Sequence, residues 1–195
     1  MNRNPFSNEK YVMTNRDLES TLTRCKNCFK LTLNGSLIYH IKDLGQITLP
    51  TQTRSQHKYF IFVFVQPYNS TALHSKDSRH RKQTLGHWLS IACDIVTRNC
   101  LVIDAANKLD SYPNVIEQID LFCRKNHLSW LPFGINFEGE GSKICGVTAL
   151  YFCYQFTKLS LQGLIRLRSM MQSHDILHIE NQIVRSVESH FKIVY

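Results

Sequence analysis

The sequence predicts an α+β fold: a mixed central sheet, packed by one buried helix and flanked by others. Three observations predict it. Apolar runs of strand length cluster mid-chain, at "YFIFVFV" (59–65), "HWLSIACDI" (87–95) and "NCLVIDA" (99–105). Helical spacing lies on both sequence sides of those runs, which separates helix from strand rather than alternating them. One later stretch, 144–159, is apolar nearly all round, as a central helix must be.

Taken in order, "NRDLESTLTR" (15–24) is short and amphipathic and reads as a helix. "KLTLNGSLIYHI" (30–41) sets an Asn-Gly between alternating apolar residues, a hairpin signal. "TLPTQTRSQH" (48–57) is a loop, and "KYFIFVFVQ" (58–66) a strand rich in aromatic and β-branched residues. The stretch 67–86 carries Lys76, Arg79, Arg81 and Lys82 and reads as a basic surface loop, either simply solvated or in contact with phosphates. The runs 87–95 and 99–105 form two strands joined by a turn around Thr97-Arg98, which puts Asp104 at the end of the second. Pro113 opens a helix over 113–127, with apolar residues at 115, 116, 119, 122 and 123. "LPFGINF" (131–137) reads as a short strand and "EGEGS" (138–142) as a Gly-rich turn. Ser142 stands where an N-cap for the central helix would be. Two further helices follow, in "LQGLIRLRSMM" and "DILHIENQIVRSVESHF".

A chain of 195 residues with 43% hydrophobic content fits one domain with a sizeable core and argues against wholesale disorder. Three parts are expected: an N-terminal subregion (1–57), a core (58–160) and C-terminal helices (161–195). Lys and Arg outnumber acids 23 to 15, a net charge of +8 that suits polyanionic partners as well as plain solubility. No apolar signal segment opens the chain, and no run approaches the ~20 residues a spanning helix needs. Seven cysteines without such a signal suggest reduced thiols in a cytoplasmic or nuclear setting, not a secreted one. "CKNC" (25–28) is a lone CxxC, whereas a four-ligand metal site needs a second pair; no metal is expected. Cys93, Cys100, Cys123 and Cys153 occupy apolar positions and read as core.

Three residues in order carry the chemical signal: His87, Asp104 and Cys145. A thiol nucleophile needs a base to make the thiolate and an acceptor to orient that base. His87 opens one strand and Asp104 closes the next, so antiparallel pairing places them side by side. Cys145 sits in the first turn of the central helix, where the dipole favours a thiolate and unpaired N–H groups, such as that of Gly146, can receive an oxyanion. Each residue alone has a plainer reading: a core cysteine, a strand histidine, a turn-forming aspartate.

"GHWLSIACDIVTRNCLVIDAANKL" followed by "SKICGVTALYFCYQF" resembles the catalytic core of the adenain family, the adenovirus maturation proteases. More broadly it resembles the Ulp-type proteases that act on SUMO and other ubiquitin-like modifiers. His87-Trp88, Asp104 and Cys145-Gly146 match the family pattern, over residues ~58 to 160, and the spacing from His87 to Asp104 needs no gap. The resemblance implies a viral or virus-like cysteine endopeptidase of the Ulp/adenain-like fold. Such an enzyme matures virions by cleaving capsid and core precursors at Gly-Gly or Gly-X sites, within the virion and the host nucleus or cytoplasm. It implies a groove walled by Trp88, with Gly139 and Gly141 beside the oxyanion hole; Trp88 as core, and the glycines as an ordinary loop, are equally compatible. It also implies stimulation by DNA, contacted by the basic loop, and in adenoviruses by a cleaved peptide, for whose disulfide no cysteine here clearly matches. No metal or organic cofactor and no membrane are implied, and a monomer is expected. One position departs: where the family places a Gln that lines the oxyanion hole, this chain has Glu138. Two other readings stay open, a Ulp-like isopeptidase removing ubiquitin or SUMO, and an inactive relative that binds DNA or protein.

Overall fold

The computed structural model describes residues 6, 11–33, 38–50, 56–65, 86–109, 112–139 and 142–193. Their architecture is α+β. Five strands form one mixed sheet in the order β1-β2-β3-β4-β5: β1 (Ile38–His40), β2 (Lys58–Val65), β3 (His87–Asp94), β4 (Asn99–Asp104) and β5 (Ser129–Pro132). β2, β3 and β4 pair antiparallel, while β1 and β5 add in parallel at the two edges. β3 is central, and every residue of it except His87 is buried. That explains its continuous apolar run, because a strand covered on both faces has no polar side to show.

Among the described residues, seven helices cover the two faces: α1 (Asn15–Arg24), α2 (Lys26–Phe29), α3 (Ile41–Leu44), α4 (Pro113–Lys125), α5 (Cys145–Lys158), α6 (Leu161–Met171) and α7 (Ile176–Phe191). Strand alternation sorts the contacts. Phe60, Phe62, Trp88 and Ala92 pack into one core with α1, α2, α5, α6 and α7. Tyr59, Ile61, Leu89 and Ile91 pack into a second core with α3 and α4. The helix at the heart of the first core is α5, where nine residues from Gly146 to Phe156 are buried. No helix among the described residues is long and apolar enough to cross a membrane.

Local chemistry sets the helix ends. Thr14 and Asp17 form a reciprocal capping box at the start of α1. Ser160 and Asp175 cap α6 and α7 through side-chain bonds to Gly163 N and His178 N. Pro113 starts α4, as its fixed φ favours. The helix α5 has no side-chain cap: its N-cap is Ile144, not Ser142, whose hydroxyl is buried without a partner among the described residues.

Three expectations need correction. The hairpin read into 30–41 does not form as such. Lys30 and Leu31 lie in a turn after α2, and β1 pairs in parallel with β2; the Asn-Gly itself lies outside the described residues. The strand expected over 131–137 is β5, shifted back to Ser129–Pro132, because Ser129–Pro132 register against β4 and Phe133 onward turns into the core. The short helices α2 and α3 fall where no helix was expected. Residues of the N-terminal subregion share the main core with α5, among them Phe6, Tyr11, Met13, Leu18 and Leu22.

Candidate active site

The site begins with the β3–β4 hairpin. Asp94 accepts bonds from the amides of Val96 and Thr97, and Arg98 takes a left-handed conformation (φ 54°), which together close the turn. The resulting register sets Leu89 opposite Asp104. His87, two residues earlier, is then the diagonal neighbour of Asp104 on the same face. The imidazole Nε2 lies 2.6 Å from Asp104 Oδ1.

Asp104 is held from three directions. Besides His87, Oδ1 accepts the amide of Ala106 at 2.9 Å, and Oδ2 accepts that of Lys108 at 2.6 Å. The turn beyond β4, with Asn107 left-handed at φ 50°, aims both amides back at the carboxylate. Burial on its own would raise the carboxyl pKa. The hydrogen bond and charge of His87, then the Lys108 and Ala106 amides, overcome it and hold Asp104 below its ordinary value.

The imidazole's other neighbour is the Cys145 sulfur. Burial pulls His87 downward in pKa. The hydrogen bonds to Asp104 and Cys145, with the negative charge of both, win and hold His87 well above its ordinary value. The ring stands between a carboxylate and a sulfur. His87 can join groups from both layers because it is the first residue of β3, at the sheet's end.

Cys145 is the first residue of α5 and is half-buried. The first turn holds no acidic side chain, and the missing side-chain cap leaves its amides uncapped, so the helix start favours negative charge. Gly146 is buried. A Cβ on it would meet Met13 Cβ at 2.8 Å and Trp88 Cδ1 at 3.1 Å, so close packing demands glycine here. Trp88 lies on the α5 side of the sheet, 3% exposed, with its indole N–H donated to the Met13 carbonyl at 3.0 Å. These contacts make Trp88 the brace between β3, α5 and the N-terminal segment. The Phe6 carbonyl accepts the amide of Lys143, two residues before Cys145, so the same segment also ties down the approach to α5.

Glu138 comes to the same place. Its neighbours by charge are His87, Asp104, Glu180 and Lys108. Burial, then the nearby Asp104 and Glu180, push its carboxyl up to about 7 against the opposing pull of His87 and Lys108. Its Oε1 is buried without a hydrogen-bond partner among the described residues. Gly139 donates its amide to Glu180 Oε1 at 2.9 Å, which fastens this loop to α7. Gly141 and the basic set Lys76, Arg79, Arg81 and Lys82 lie outside the described residues.

Sequence reasoning missed Met13, Phe6 and Glu180. Glu180 left a signal: it falls in register with the apolar stripe of Ile183, Val184 and Val187, and an acid there has to be buried. Met13 and Phe6 left none, because their partners are far along the chain. Cys25 and Cys28 are free thiols, and no cluster of three or more metal-ligating residues exists among the described residues. No protein-family model matches the chain, and no curated protein does either.

Proposed function

We propose that the chain is a cysteine endopeptidase of adenain-like or Ulp-like arrangement, with Cys145 as nucleophile, His87 as base and acid, and Asp104 as the group that orients His87. The observation that carries this reading is the line of contacts from Asp104 through His87 to Cys145, with a 2.6 Å bond at its first link. The chain order His-Asp-Cys and the Cys-Gly at the start of a central helix support the finer family assignment.

In this mechanism the Cys145 thiolate attacks the scissile carbonyl carbon. A C–S bond forms and the carbonyl π pair moves to oxygen. Amides at the start of α5 receive that oxyanion. The tetrahedral intermediate collapses, the C–N bond breaks, and protonated His87 gives its proton to the leaving amine. Neutral His87 then takes a proton from water, which attacks the thioester and releases the acid and the thiolate. Asp104 stays ionised throughout and stabilises the imidazolium.

Gly-Gly or Gly-X sites in viral precursor proteins are the proposed substrates. The net charge of +8 supports DNA as an activating partner, an effect that should weaken as salt rises. The test is cleavage of fluorogenic Gly-Gly peptides beside a ubiquitin-like modifier probe, each with and without DNA. Peptide cleavage that is lost in Cys145→Ala supports the endopeptidase. Reaction with the modifier probe alone favours an isopeptidase, and no turnover of either overturns the enzyme reading.

A further inference from the structure

Three thiols meet where α2 packs against α5. Cys25 is the one residue between α1 and α2: its amide donates to the Leu22 carbonyl and its carbonyl accepts the Phe29 amide, so it closes one helix and opens the other. Cys28 follows three residues later, on the same side of α2. It is fully buried with Cys153 of α5 in one core, against which Cys25 also packs. The side chains touch in sequence through hydrogen bonds, Cys25 with Cys28 and Cys28 with Cys153. Of the three, only Cys25 is partly open to solvent. The other thiol group makes a contrast. Cys93 pairs with Cys100 across β3 and β4, and Cys100 Sγ lies 3.5 Å from Cys123 Sγ, yet all three are buried and none presents a sulfur to solvent. Sulfur contact occurs in both groups, but a route in from outside exists only at Cys25.

A disulfide needs Cβ atoms about 3.5–4.5 Å apart, and helical positions three apart hold them at about 5–6 Å. Cys25 can close that difference because it lies outside the helical conformation, at φ −99° and ψ 88°. We infer that Cys25 and Cys28 form a second reactive thiol site, apart from Cys145, which exchanges with low-molecular-weight disulfides such as glutathione disulfide and ends as a Cys25–Cys28 disulfide, with Cys153 as the donor that prepares Cys28. In the first step the Cys25 thiolate attacks one sulfur of the small disulfide. A mixed S–S bond forms, the original S–S bond breaks, and one thiolate leaves and takes up the proton that Cys25 gave. In the second step the Cys28 thiolate attacks the Cys25 sulfur, the mixed bond breaks, and the second thiolate leaves with the proton from Cys28. Two protein thiols lose two electrons, and one small disulfide becomes two thiols. Burial pushes the Cys25 thiol up in pKa, which makes the first step the slow one. The hydrogen bond of Cys153, then that of Cys25, hold Cys28 below its ordinary value against burial, which favours the thiolate that completes the exchange. None of this depends on Cys145 being a nucleophile.

The test is mass-spectrometric mapping of the folded chain after incubation with glutathione disulfide near neutral pH, with samples quenched by acid over time. The Cys25–Cys28 disulfide is expected to form first, while Cys100 and Cys123 stay reduced. Cys145→Ala is expected to give the same disulfide at the same rate, because that thiol takes no part. Cys28→Ala keeps the first step and removes the second, so the glutathione adduct on Cys25 is expected to accumulate at least about tenfold over the wild type. Cys153→Ala removes the first donor to Cys28 and is expected to raise the transient adduct about threefold. The wild-type measurement needs no variant to fold. Absence of a Cys25–Cys28 disulfide there, a Cys100–Cys123 disulfide that forms first, or a Cys28→Ala chain with no adduct on Cys25 overturns the inference. An unchanged adduct level in Cys153→Ala overturns the part given to Cys153.

Discussion

Cys145 and Cys153 stand on the same helix, about two turns apart, in very different surroundings. Cys153 is fully buried in the core of α5, and that burial, reinforced by Cys28 beside it, pushes its thiol well up in pKa. Cys145 is half-buried at the helix start, beside a histidine whose pKa Asp104 holds up. The comparison teaches that residue type carries little of the signal. A cysteine deep in a helix is a small apolar side chain, whereas the first residue of that helix can be a nucleophile when a strand end brings it a base.

The strongest way to break this contrast is to exchange the two roles. Cys145→Ala is expected to lower peptide cleavage about a millionfold, to the detection floor. Cys153→Ala is expected to keep kcat/KM within a few-fold and to lower stability by about 1–2 kcal/mol in urea melts. Loss of activity in the second variant and not the first would reverse the assignment. Next in size is Asp104→Asn, which keeps the shape but removes the charge and the acceptor for the Lys108 amide. A loss of about 10⁴ in kcat is expected by analogy with other triads, with His87 titrating lower by NMR; an unshifted His87 would mean that Asp104 does not hold it.

Smaller effects sharpen the electrostatics and the packing. A carboxyl pKa raised from 4.5 to about 7 in the fold makes Glu138 contribute its full stability below about 4.5 and lose it as pH rises through about 7. Glu138→Gln should therefore raise stability by about 3 kcal/mol at pH 8 and leave no pH-dependent difference below pH 4.5, read by thermal melts at both pH values. A gain of equal size at both would assign it to packing instead. Trp88→Phe removes the bond to the Met13 carbonyl and should cost about 1–2 kcal/mol, with faster amide exchange in the segment around Met13. Unchanged exchange there would show that the indole does not secure the segment.

Sequence made the β3–β4 hairpin, α4 and α5 legible because each is a local pattern: two apolar runs across a short turn, a Pro-led stripe, an all-round apolar helix. The meeting of His87 with Asp104 followed from that hairpin alone, whereas Glu138 came only from the family resemblance. What stayed hidden depends on long-range contacts. Nothing in "SLIYH" says that Tyr39 will pair with Val63 in parallel, and nothing in Met13 says that it will cover Gly146 and Trp88. The shift of β5 has the same cause, since its register is set by β4 and not by its own alternation. Ser142 was the better cap by residue type, yet the helix begins at Cys145 without one. That departure from local preference falls at the first turn of the candidate site, where uncapped amides have a use.

The most direct measurement is the rate of iodoacetamide labelling of each cysteine near neutral pH, resolved by mass spectrometry of digested protein, in the wild type and in His87→Ala. The account predicts that Cys145 labels about 100-fold faster than Cys100, Cys123 or Cys153, and that the advantage shrinks at least about tenfold without His87. Slow, uniform labelling of all seven cysteines, or a fast Cys145 indifferent to His87, would contradict it.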